Sequence, residues 1–491
     1  MNVCPRRRTL RTAMALLVVI LLAARLGAQE ANESEPVNPL RSPAAAERLP
    51  WDREPPKKSL LRLRPIAGPR EFLTRYGIVA SQWDSFQSGQ PLSAAEEEVV
   101  IRLLHLYSRF GQENVEAWTK DELTPQVLAD SAEEQRGEIV HLSGKVRRLA
   151  LVKLIPEVAT RYEFSQYYQV VLQIEGGAEA ILYCRELPAA WQLDVAMNEQ
   201  ASAYGLFLKL GDEQASSPLL LVTDRVAWLP AEPRPTLGVT PAHVALASLG
   251  VDIGRLQAVG LERRAGLTAV DREPFYQILS ALEGEQAAKL LTQKQPLNLA
   301  ALLQEPQEHT GDVLPVRGLA RRVLRVDVPD VDIRRRFGID HYFEVDLSLP
   351  LEQTIKLGAD PIAKNQAVVY EHSFPATICI RELPPGLAVG DDVRQSIEAS
   401  AVFFKLWLYH SAYAKEAGLA QPAPLFLARS VQVVADEKPS LFVADVVVGL
   451  AMAIAALVFV GIVLWYRWTD RAAKPTPPAD AAAKPDFSDL R

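Results

Sequence analysis

Cysteine and histidine are scarce in this chain. Its 491 residues include three cysteines and seven histidines. No histidine pair has the spacing of a metal motif such as HExxH, and GxSxG, P-loop and GxGxxG patterns are missing. The densest polar group is Asp340-His341 with Glu344 and Asp346, and on a strand His341 faces away from both later carboxylates. We therefore predict that the chain is not an enzyme and holds no metal or cofactor.

The chain also lacks an excess of positive charge. Its formal net charge is −7, with 53 basic and 60 acidic residues. Residues 1–28 contain five arginines and no acidic residue, so without them 48 basic residues face 60 acidic ones, a balance of −12. Binding to nucleic acid depends largely on neutralising phosphates. We predict no nucleic-acid partner.

Two cysteines remain beyond the N-terminal segment, Cys184 and Cys379. They occupy neighbouring rather than equivalent positions of the internal repeat described below. Adjacent positions on a strand face opposite sides of a sheet, so the two side chains are expected to point in opposite directions within their domains. This favours a buried free thiol in each domain, with an inter-domain disulfide as the alternative.

The N-terminus reads as a secretory signal peptide over residues 1–28. Arginines between positions 6 and 11 precede an apolar run, Ala13 to Ala24, and the small residues Gly27 and Ala28 follow. The run of 12 residues is too short to span a bilayer comfortably. An uncleaved anchor is the alternative, because Arg25 interrupts the cleavage region. Residues 29–70 are rich in Pro, Glu and Ala and read as a disordered leader.

A long uncharged segment lies near the other end of the chain. Val446 to Trp465 contains 20 residues without a charge, the length of a membrane-spanning helix, which we place at 441–466. Arg467 and Arg471 follow it, and basic residues beside a span favour the cytoplasmic side. We therefore expect a single-pass protein of a bacterial inner membrane, with a cytoplasmic tail at 467–491 and most of the chain periplasmic.

The phrase Arg-Glu-Leu-Pro occurs twice, at 185–188 and 381–384. It belongs to a longer series of collinear matches. Residues 137–140 (GEIV) match 311–314 (GDVL), and residues 207–210 (FLKL) match 403–406 (FFKL). Gaps fall only where loops are expected, around residues 352–365 of the second copy. The series indicates a duplicated domain, and Arg-Glu-Leu-Pro reads as a structural corner inherited twice.

Each copy begins with a helical segment. In the first, Ser93 and Glu96 form a capping box before an apolar-periodic run. In the second, Pro274 lies too deep for a helix starting at Thr268, so we expect that helix to start near Asp271. The predicted domains are helical preface 71–135, β-domain 136–230, linker and helical preface 231–310, and β-domain 311–436.

Five strands are predicted in each β-domain, with a bend or bulge at Gly144 in the first. The fold class is therefore α+β, with two tandem modules and one transmembrane helix. Five strands with a break after the third resemble the OB-fold, a small closed barrel, and an open sheet packed on the preceding helices is the alternative. The chain also resembles uncharacterised membrane-anchored bacterial proteins with duplicated OB-fold-like domains. The predicted strands are 137–153, 167–174, 178–184, 201–210 and 219–228, then 313–328, 342–349, 376–380, 397–408 and 425–434.

A candidate ligand site follows from the polar residues that both copies retain. The resemblance to OB barrels implies a binding surface across the second and third strands, where aromatic rings beside arginines would stack a sugar or base. The alternative is that the aromatics fill the barrel and the charges surround it. The candidate ligand-binding residues are Arg148, Tyr167, Arg185, Glu186, Arg322, Tyr342, Arg381 and Glu382.

These observations favour a non-catalytic role. We expect an extracytoplasmic scaffold or protein-binding module that contacts an envelope protein partner. The alternatives are binding of a small molecule or glycan by the barrel faces and, more weakly, a hydrolase at the module interface. Gly449 and Ala453 have the small-xxx-small spacing that lets two membrane helices approach, which would allow a homodimer.

Overall fold

The structure of the protein is a computed structural model. It describes residues 66–174, 176–212, 217–261, 267–292, 296–357, 368–409, 421–434 and 441–472. The chain divides into two compact units, Met1–Val434 and Ala435–Arg491, which are treated separately below. The predicted signal peptide, most of the leader and the end of the tail lie outside the described residues.

Six short helices precede the first sheet, between residues 66 and 138. The longest begins where the capping box predicts, because Ser93 Oγ accepts a hydrogen bond from the Glu96 amide at 3.3 Å and Glu96 Oε2 accepts one from the Ser93 amide at 2.6 Å. The helices are α1 (Pro69–Arg75), α2 (Ala80–Asp84), α3 (Ala94–Tyr107), α4 (Gln112–Trp118), α5 (Pro125–Asp130) and α6 (Ala132–Gln135).

The first sheet has six strands and one helix inserted after its first strand. The elements are β1 (Ile139–Lys153), α7 (Pro156–Tyr162), β2 (Gln166–Ile174), β3 (Glu179–Cys184), β4 (Glu199–Leu210), β5 (Leu219–Val222) and β6 (Ala227–Trp228). β1 pairs antiparallel with both β2 and β4. β3 pairs antiparallel with β2 and parallel with β5, and β4 pairs antiparallel with β5 and β6.

A second set of helices connects the two sheets. The elements are α8 (Pro241–Ser248), α9 (Ile253–Leu261), α10 (Ala269–Ala281), α11 (Ala287–Thr292), α12 (Leu299–Gln304) and α13 (Pro306–His309). The predicted start near Asp271 is wrong, because α10 begins at Ala269 and contains Pro274. Thr268 instead caps the helix, since its amide donates to Asp271 Oδ2 at 2.7 Å. The capping interaction and burial of the adjacent Phe275 and Tyr276 outweigh the one backbone hydrogen bond that a proline removes.

The second sheet repeats the strand pairings of the first. β7 pairs with β8 and β12, β11 pairs antiparallel with β8 and parallel with β13, and β12 pairs with β13 and β14. A separate two-stranded hairpin, β9 with β10, lies in the insertion predicted between the second and third strands. The elements are β7 (Val313–Asp327), α14 (Val331–Phe337), β8 (His341–Pro350), β9 (Ile355–Leu357), β10 (Val368–Tyr370), β11 (Ser373–Ile380), β12 (Gln395–Tyr409), β13 (Gln421–Ala428) and β14 (Gln432–Val433).

The architecture is therefore mixed α+β with two similar six-stranded sheets. Five strands per sheet were predicted, and the difference lies in the last one. That segment splits into β5 and β6 in the first sheet, and into β13 and β14 in the second. Thr223 marks the break in the first sheet: its amide still bonds the Tyr183 carbonyl at 2.9 Å, after which the chain turns and β6 pairs with β4.

The duplicated glycine of the first strand is required by close packing. Gly144 pairs at once with Ile174 of β2 and Ala201 of β4, and a Cβ there would lie 2.2 Å from the Gln173 carbonyl oxygen. The predicted bulge occurs two residues later, between Val146 and Arg148. In the second copy, the register shift lies between Ala320 and Arg322, and a Cβ on Gly318 would lie 2.9 Å from the Ser348 oxygen.

The strands β4 and β12 each have two apolar faces, so buried residues follow one another along β4, whereas β1 alternates buried and exposed residues. In β4, Leu206 and Leu208 pack against the helices α1, α3 and α4, whereas Phe207 packs into the opposite face. In β12, Phe403 and Phe404 divide in the same way, with Phe404 directed to the α9–α10 helices. Each module is thus a helical layer packed on one sheet.

Residues 441–472 form one continuous helix, α15 (Leu441–Ala472). Its segment Leu450–Thr469 has 20 residues with a mean hydropathy of 2.1, so by length and composition it is long and apolar enough to cross a membrane. Gly449 and Ala453 lie one turn apart on this helix. Their proposed role in helix pairing stays a prediction.

Candidate binding cleft

The two predicted stacking tyrosines are buried. Tyr167 is 1% exposed, and its hydroxyl donates to Glu97 Oε1 of α3 at 2.9 Å. Burial, followed by that carboxylate, raises the pKa of Tyr167 far above its usual value. Tyr342 is fully buried, with its ring centroid 5.6 Å from that of Phe275 on α10. Both tyrosines therefore join a helical layer to a sheet, and neither ring is open to a ligand in this conformation.

The predicted arginines of the first strands have different surroundings. Arg148 is exposed on β1. Arg322 on β7 is half-buried, and its Nε donates to Asp346 Oδ2 on β8 at 2.7 Å. Asp346 Oδ1 also accepts from Thr377 on β11 at 3.3 Å. This duplicated position thus forms an internal ion pair in the second copy, and Arg148 forms none with the residues that the structure describes.

The Arg-Glu-Leu-Pro corners are built alike. In the first, the amides of Arg185 and Glu186 both donate to the Asp224 carbonyl, at 3.1 and 3.3 Å. In the second, the amides of Arg381 and Glu382 both donate to the carbonyl of residue 429, at 3.0 and 3.1 Å. Each corner therefore fastens the end of the third strand to the segment that follows the fifth.

The side chains of these corners are used within the protein. The Arg185 guanidinium lies over the Phe164 ring, 4.8 Å from its centroid. Arg381 Nε lies 2.5 Å from Glu283 Oε1. Glu186 and Glu382 are exposed and lie 4.0 and 3.5 Å from arginines of the neighbouring segment, Arg225 and Arg429.

The cysteines follow the sequence prediction. Cys184 and Cys379 are buried free thiols. Cys184 shares the face of Phe207, away from α1–α4, whereas Cys379 packs with Phe404 toward the connecting helices. The two thiols thus occupy opposite faces of equivalent sheets, as their neighbouring repeat positions predict. Burial raises the pKa of the Cys184 thiol well above its usual value.

A cleft of about 830 Å³ lies between the two modules, within the unit that ends at Val434. One wall comes from the first module, from α4, β1, β4 and the turn between β5 and β6. The other wall comes from the second module, from α8, α9, α10 and α14. The cleft is lined by charged and aromatic side chains, among them Glu116, His141, Tyr204, Asp224, Arg225, Asp252, Arg255, Glu273 and Arg336.

A chain of ion pairs crosses the cleft floor. Arg225 Nη2 of the first module lies 2.8 Å from Asp252 Oδ2, at the start of α9. Asp252 Oδ1 caps that helix by accepting from the Gly254 amide at 2.9 Å. Arg255 Nη1 then lies 3.4 Å from Glu273 Oε1 on α10. These pairs are largely shielded from water, since Asp252 is buried and Arg225 and Arg255 are about four-fifths buried.

Arg336 at the end of α14 holds the modules together. It forms a two-pronged contact with Glu273, one prong of which is 3.0 Å, and its Nε donates to Glu116 Oε1 of α4 at 2.8 Å. Its side chain is 4% exposed. Burial raises the pKa of Glu273, but the hydrogen bond from Arg336 and the charge of Arg255 lower it by a larger amount. The net shift is downward and keeps this carboxylate ionised.

Two charged groups in the cleft have unused bonding capacity. The Asp224 carboxylate forms no hydrogen bond or ion pair with any side chain in the described residues, and burial, then the charge of Glu186, raises its pKa. The Arg255 guanidinium has ion pairs at 3.4 and 4.0 Å but donates no hydrogen bond to a described residue. A half-buried carboxylate without a bonded partner is costly, so Asp224 can gain from a donor that enters the cleft, and Arg255 retains donors for an acceptor there.

An aromatic pair forms part of the cleft wall that belongs to the first module. The rings of His141 on β1 and Tyr204 on β4 are 4.6 Å apart and inclined by 31°. Partial desolvation lowers the pKa of His141, although the residue is exposed at the cleft wall. Tyr107 Oη supports this wall by donating to the Tyr204 carbonyl at 2.6 Å.

The cleft was not predicted from the sequence, because a comparison of the two copies hides a contact that only one of them makes. Arg336 occupies the position equivalent to Arg161 of the first copy, yet Arg161 is 64% exposed and lies 3.8 Å from Glu98 on its own module. The equivalence therefore concealed the inter-module role of Arg336. No local pattern links the cleft residues, which are distant in the chain. The described residues contain no group of three His, Cys, Asp or Glu side chains arranged to hold a metal ion.

Comparison with known proteins adds no relative. No family model matches the chain, and no curated protein matches it. Among solved structures, a crystal structure of the ADP-ribosylating toxin BECa of a binary enterotoxin of C. perfringens with NADH aligns at 10% identity, covering 76% of this chain and 99% of that one. Its TM-score is 0.09, and at that value it carries no argument about fold or function.

Proposed function

We propose that this protein is a non-catalytic, membrane-anchored scaffold that binds an envelope protein partner outside the cytoplasm. The observation that carries the proposal is the internal use of the duplicated polar residues. Tyr167 and Tyr342 are buried against helices, and Arg322 and Arg381 are paired with carboxylates of their own module. Because these duplicated side chains stabilise the fold of each module and are not available to a ligand, they favour a structural role over ligand binding.

Each sheet is proposed to be a closed OB-like barrel. Support comes from the pairing order, since β1 pairs with β2, β2 with β3, β3 with β5, β5 with β4, and β4 again with β1. The second sheet has the same order, including the parallel pair between its third and fifth strands. A closed barrel has no long free edge for non-specific strand pairing, so partner binding would use loops and helices.

The proposed membrane arrangement has α15 spanning an inner membrane, with the two modules periplasmic. Support comes from its 20-residue apolar segment and from Arg467 and Arg471 at its C-terminal end. Fusing a reporter active only in the periplasm, and one active only in the cytoplasm, to the C-terminus tests this. The cytoplasmic reporter alone should be active, and the reverse result contradicts the proposed orientation.

The scaffold proposal is tested by cross-linking in intact membranes, followed by purification of the tagged full-length protein. A stoichiometric partner that is absent from a control with an unrelated tagged membrane helix supports it. Recovery of the protein alone, with full cross-linking of a known membrane complex in the same sample, contradicts it.

A second candidate function is binding of a small molecule, and the inter-module cleft favours it over the barrel faces. Its volume lies within the roughly 300–1,000 Å³ of typical ligand pockets. A thermal-shift screen of the full-length protein with sugars, nucleotides and amino acids tests this candidate.

A further inference from the structure

The polar groups of the cleft restrict what it would bind. Arg255 presents donors to the cleft without an acceptor in hydrogen-bonding geometry among the described residues. Arg225 Nη2 is already paired with Asp252 Oδ2 at 2.8 Å, and its Nη1 lies 4.0 Å from Glu186 Oε2. Guanidinium groups match carboxylates in shape and charge, so Arg255 can bind the two oxygens of a ligand carboxylate.

The same cleft contains an unpaired group of the opposite sign. Asp224 directly precedes Arg225 in the turn between β5 and β6, and its carboxylate has no bonded partner among the described side chains. Its nearest charged neighbours include Arg255, on the other wall. An ammonium group bound here would pair with this carboxylate and offset the free-energy cost of its partial desolvation.

Ligands with a charge of one sign fit poorly. A polyanion such as a nucleotide would meet Asp224, Asp252 and Glu273 along the cleft. A polycation would meet the arginines of the same floor. A ligand with one charge of each sign avoids both conflicts, and the ring pair of His141 and Tyr204 offers a flat surface for its uncharged part.

We propose that the inter-module cleft binds a zwitterion, an amino acid or short peptide with free ends, whose ammonium group contacts Asp224 and whose carboxylate contacts Arg255. The ligand touches both modules, so its binding stabilises their contact. This proposal goes beyond the scaffold role and does not depend on it, because the cleft lies between the two modules and binding there requires no protein partner.

The test uses the full-length protein in detergent micelles and ligand-observed NMR. The first probes are a pool of the twenty amino acids and a pool of glycyl dipeptides, each at millimolar concentration, which distinguish free amino acids from peptides. The strongest binder is then compared with its N-acetylated and its amidated forms. Removing either charge should weaken binding at least about tenfold, the equivalent of 1.4 kcal/mol.

Two variants locate the site. Asp224→Asn should weaken the zwitterion and abolish its advantage over the N-acetylated form. Arg255→Gln should abolish the advantage over the amidated form. Arg335→Gln is the matched control, because Arg335 is 70% exposed, lies beside Arg336 on α14 and does not line the cleft.

The outcomes separate clearly. Charge-dependent binding that Asp224→Asn weakens supports the proposal, even where Arg255→Gln disturbs folding. Equal binding of the blocked forms, or equal binding by Asp224→Asn, overturns it. Absence of binding from both pools also overturns the proposal. None of these outcomes affects whether cross-linking recovers a protein partner, so the two proposals fail independently.

Discussion

A buried lysine joins the helical layer of each module to its sheet, and removing it should be costly. Lys209 lies on β4 directly after a register shift and is 0% exposed. Its Nζ donates to Glu96 Oε1 of α3 at 2.7 Å and to the carbonyl oxygens of Gln87 and Pro91 at 3.0 and 3.3 Å. All three ammonium protons therefore have acceptors, which is the condition for a buried charge to be tolerated.

Lys209→Met keeps the length of the side chain and removes the charge. Glu96 is 2% exposed and would remain as an uncompensated carboxylate, a change that typically costs about 3–5 kcal/mol. Glu96→Gln should cost less, because Lys209 keeps its two carbonyl acceptors. The double variant should recover much of the loss, since both charges are then gone.

The assay is urea unfolding of the full-length protein in micelles, followed by near-UV circular dichroism, for both single variants and the double variant. Burial raises the pKa of Glu96, but the hydrogen bonds from Lys209 and from the amides of Ser93 and Gln87 lower it by a larger amount. The pKa of Glu96 is therefore below its usual value. The contribution is therefore present above about pH 4.3 and is lost as the pH falls through the lowered pKa. A loss under about 1 kcal/mol at pH 7, as for an exposed pair, would refute the reasoning.

Three further predictions concern other positions. Asp224→Asn should raise the free energy of unfolding at pH 7, and the gain should shrink toward pH 4, because the raised pKa makes the ionised carboxylate a cost that disappears on protonation; a pH series of urea melts measures this. Arg336→Gln should destabilise the module contact by about 3–5 kcal/mol and expose the connecting helices to limited proteolysis, because it leaves the buried Glu273 without its partner; Arg335→Gln removes only an exposed pair with Glu113 and should cost under about 1 kcal/mol. Gly144→Ala should destabilise by about 1–3 kcal/mol, because its Cβ has no space, whereas Gly68, with open space and an extended backbone, should tolerate alanine in the same thermal melt.

The duplication was readable from sequence because it is a linear pattern. Collinear matches predicted two equivalent modules and the insertion in the second copy, and both appear in the described structure. The strands predicted at 167–174 and 178–184 pair antiparallel. The corner role of Arg-Glu-Leu-Pro also follows from its recurrence. The errors were local: a proline inside α10 and a fifth strand that divides, where tertiary packing overrides residue preference.

The candidate site was not readable, for a different physical reason. Residues that the two copies share are those that stabilise the same buried interior in each module. The buried pair Lys405–Asp271, 3.1 Å apart, repeats the pair Lys209–Glu96. The cleft exists once because it lies where the first copy meets the second. A comparison of the copies therefore shows Arg161 and Arg336 as equivalent and does not reveal the contacts that only Arg336 makes.

The same reasoning separates architecture from function in this chain. A tandem duplication yields two equal modules but only one junction between them, so an asymmetric site arises there without new structure. At this junction, Arg336 forms a buried bridge, while its repeat counterpart Arg161 stays at the surface. One copy of a shared position has thus acquired a contact that the other lacks. Substitutions of cleft residues should accordingly affect binding, while substitutions of the duplicated pairs should affect stability in both modules alike.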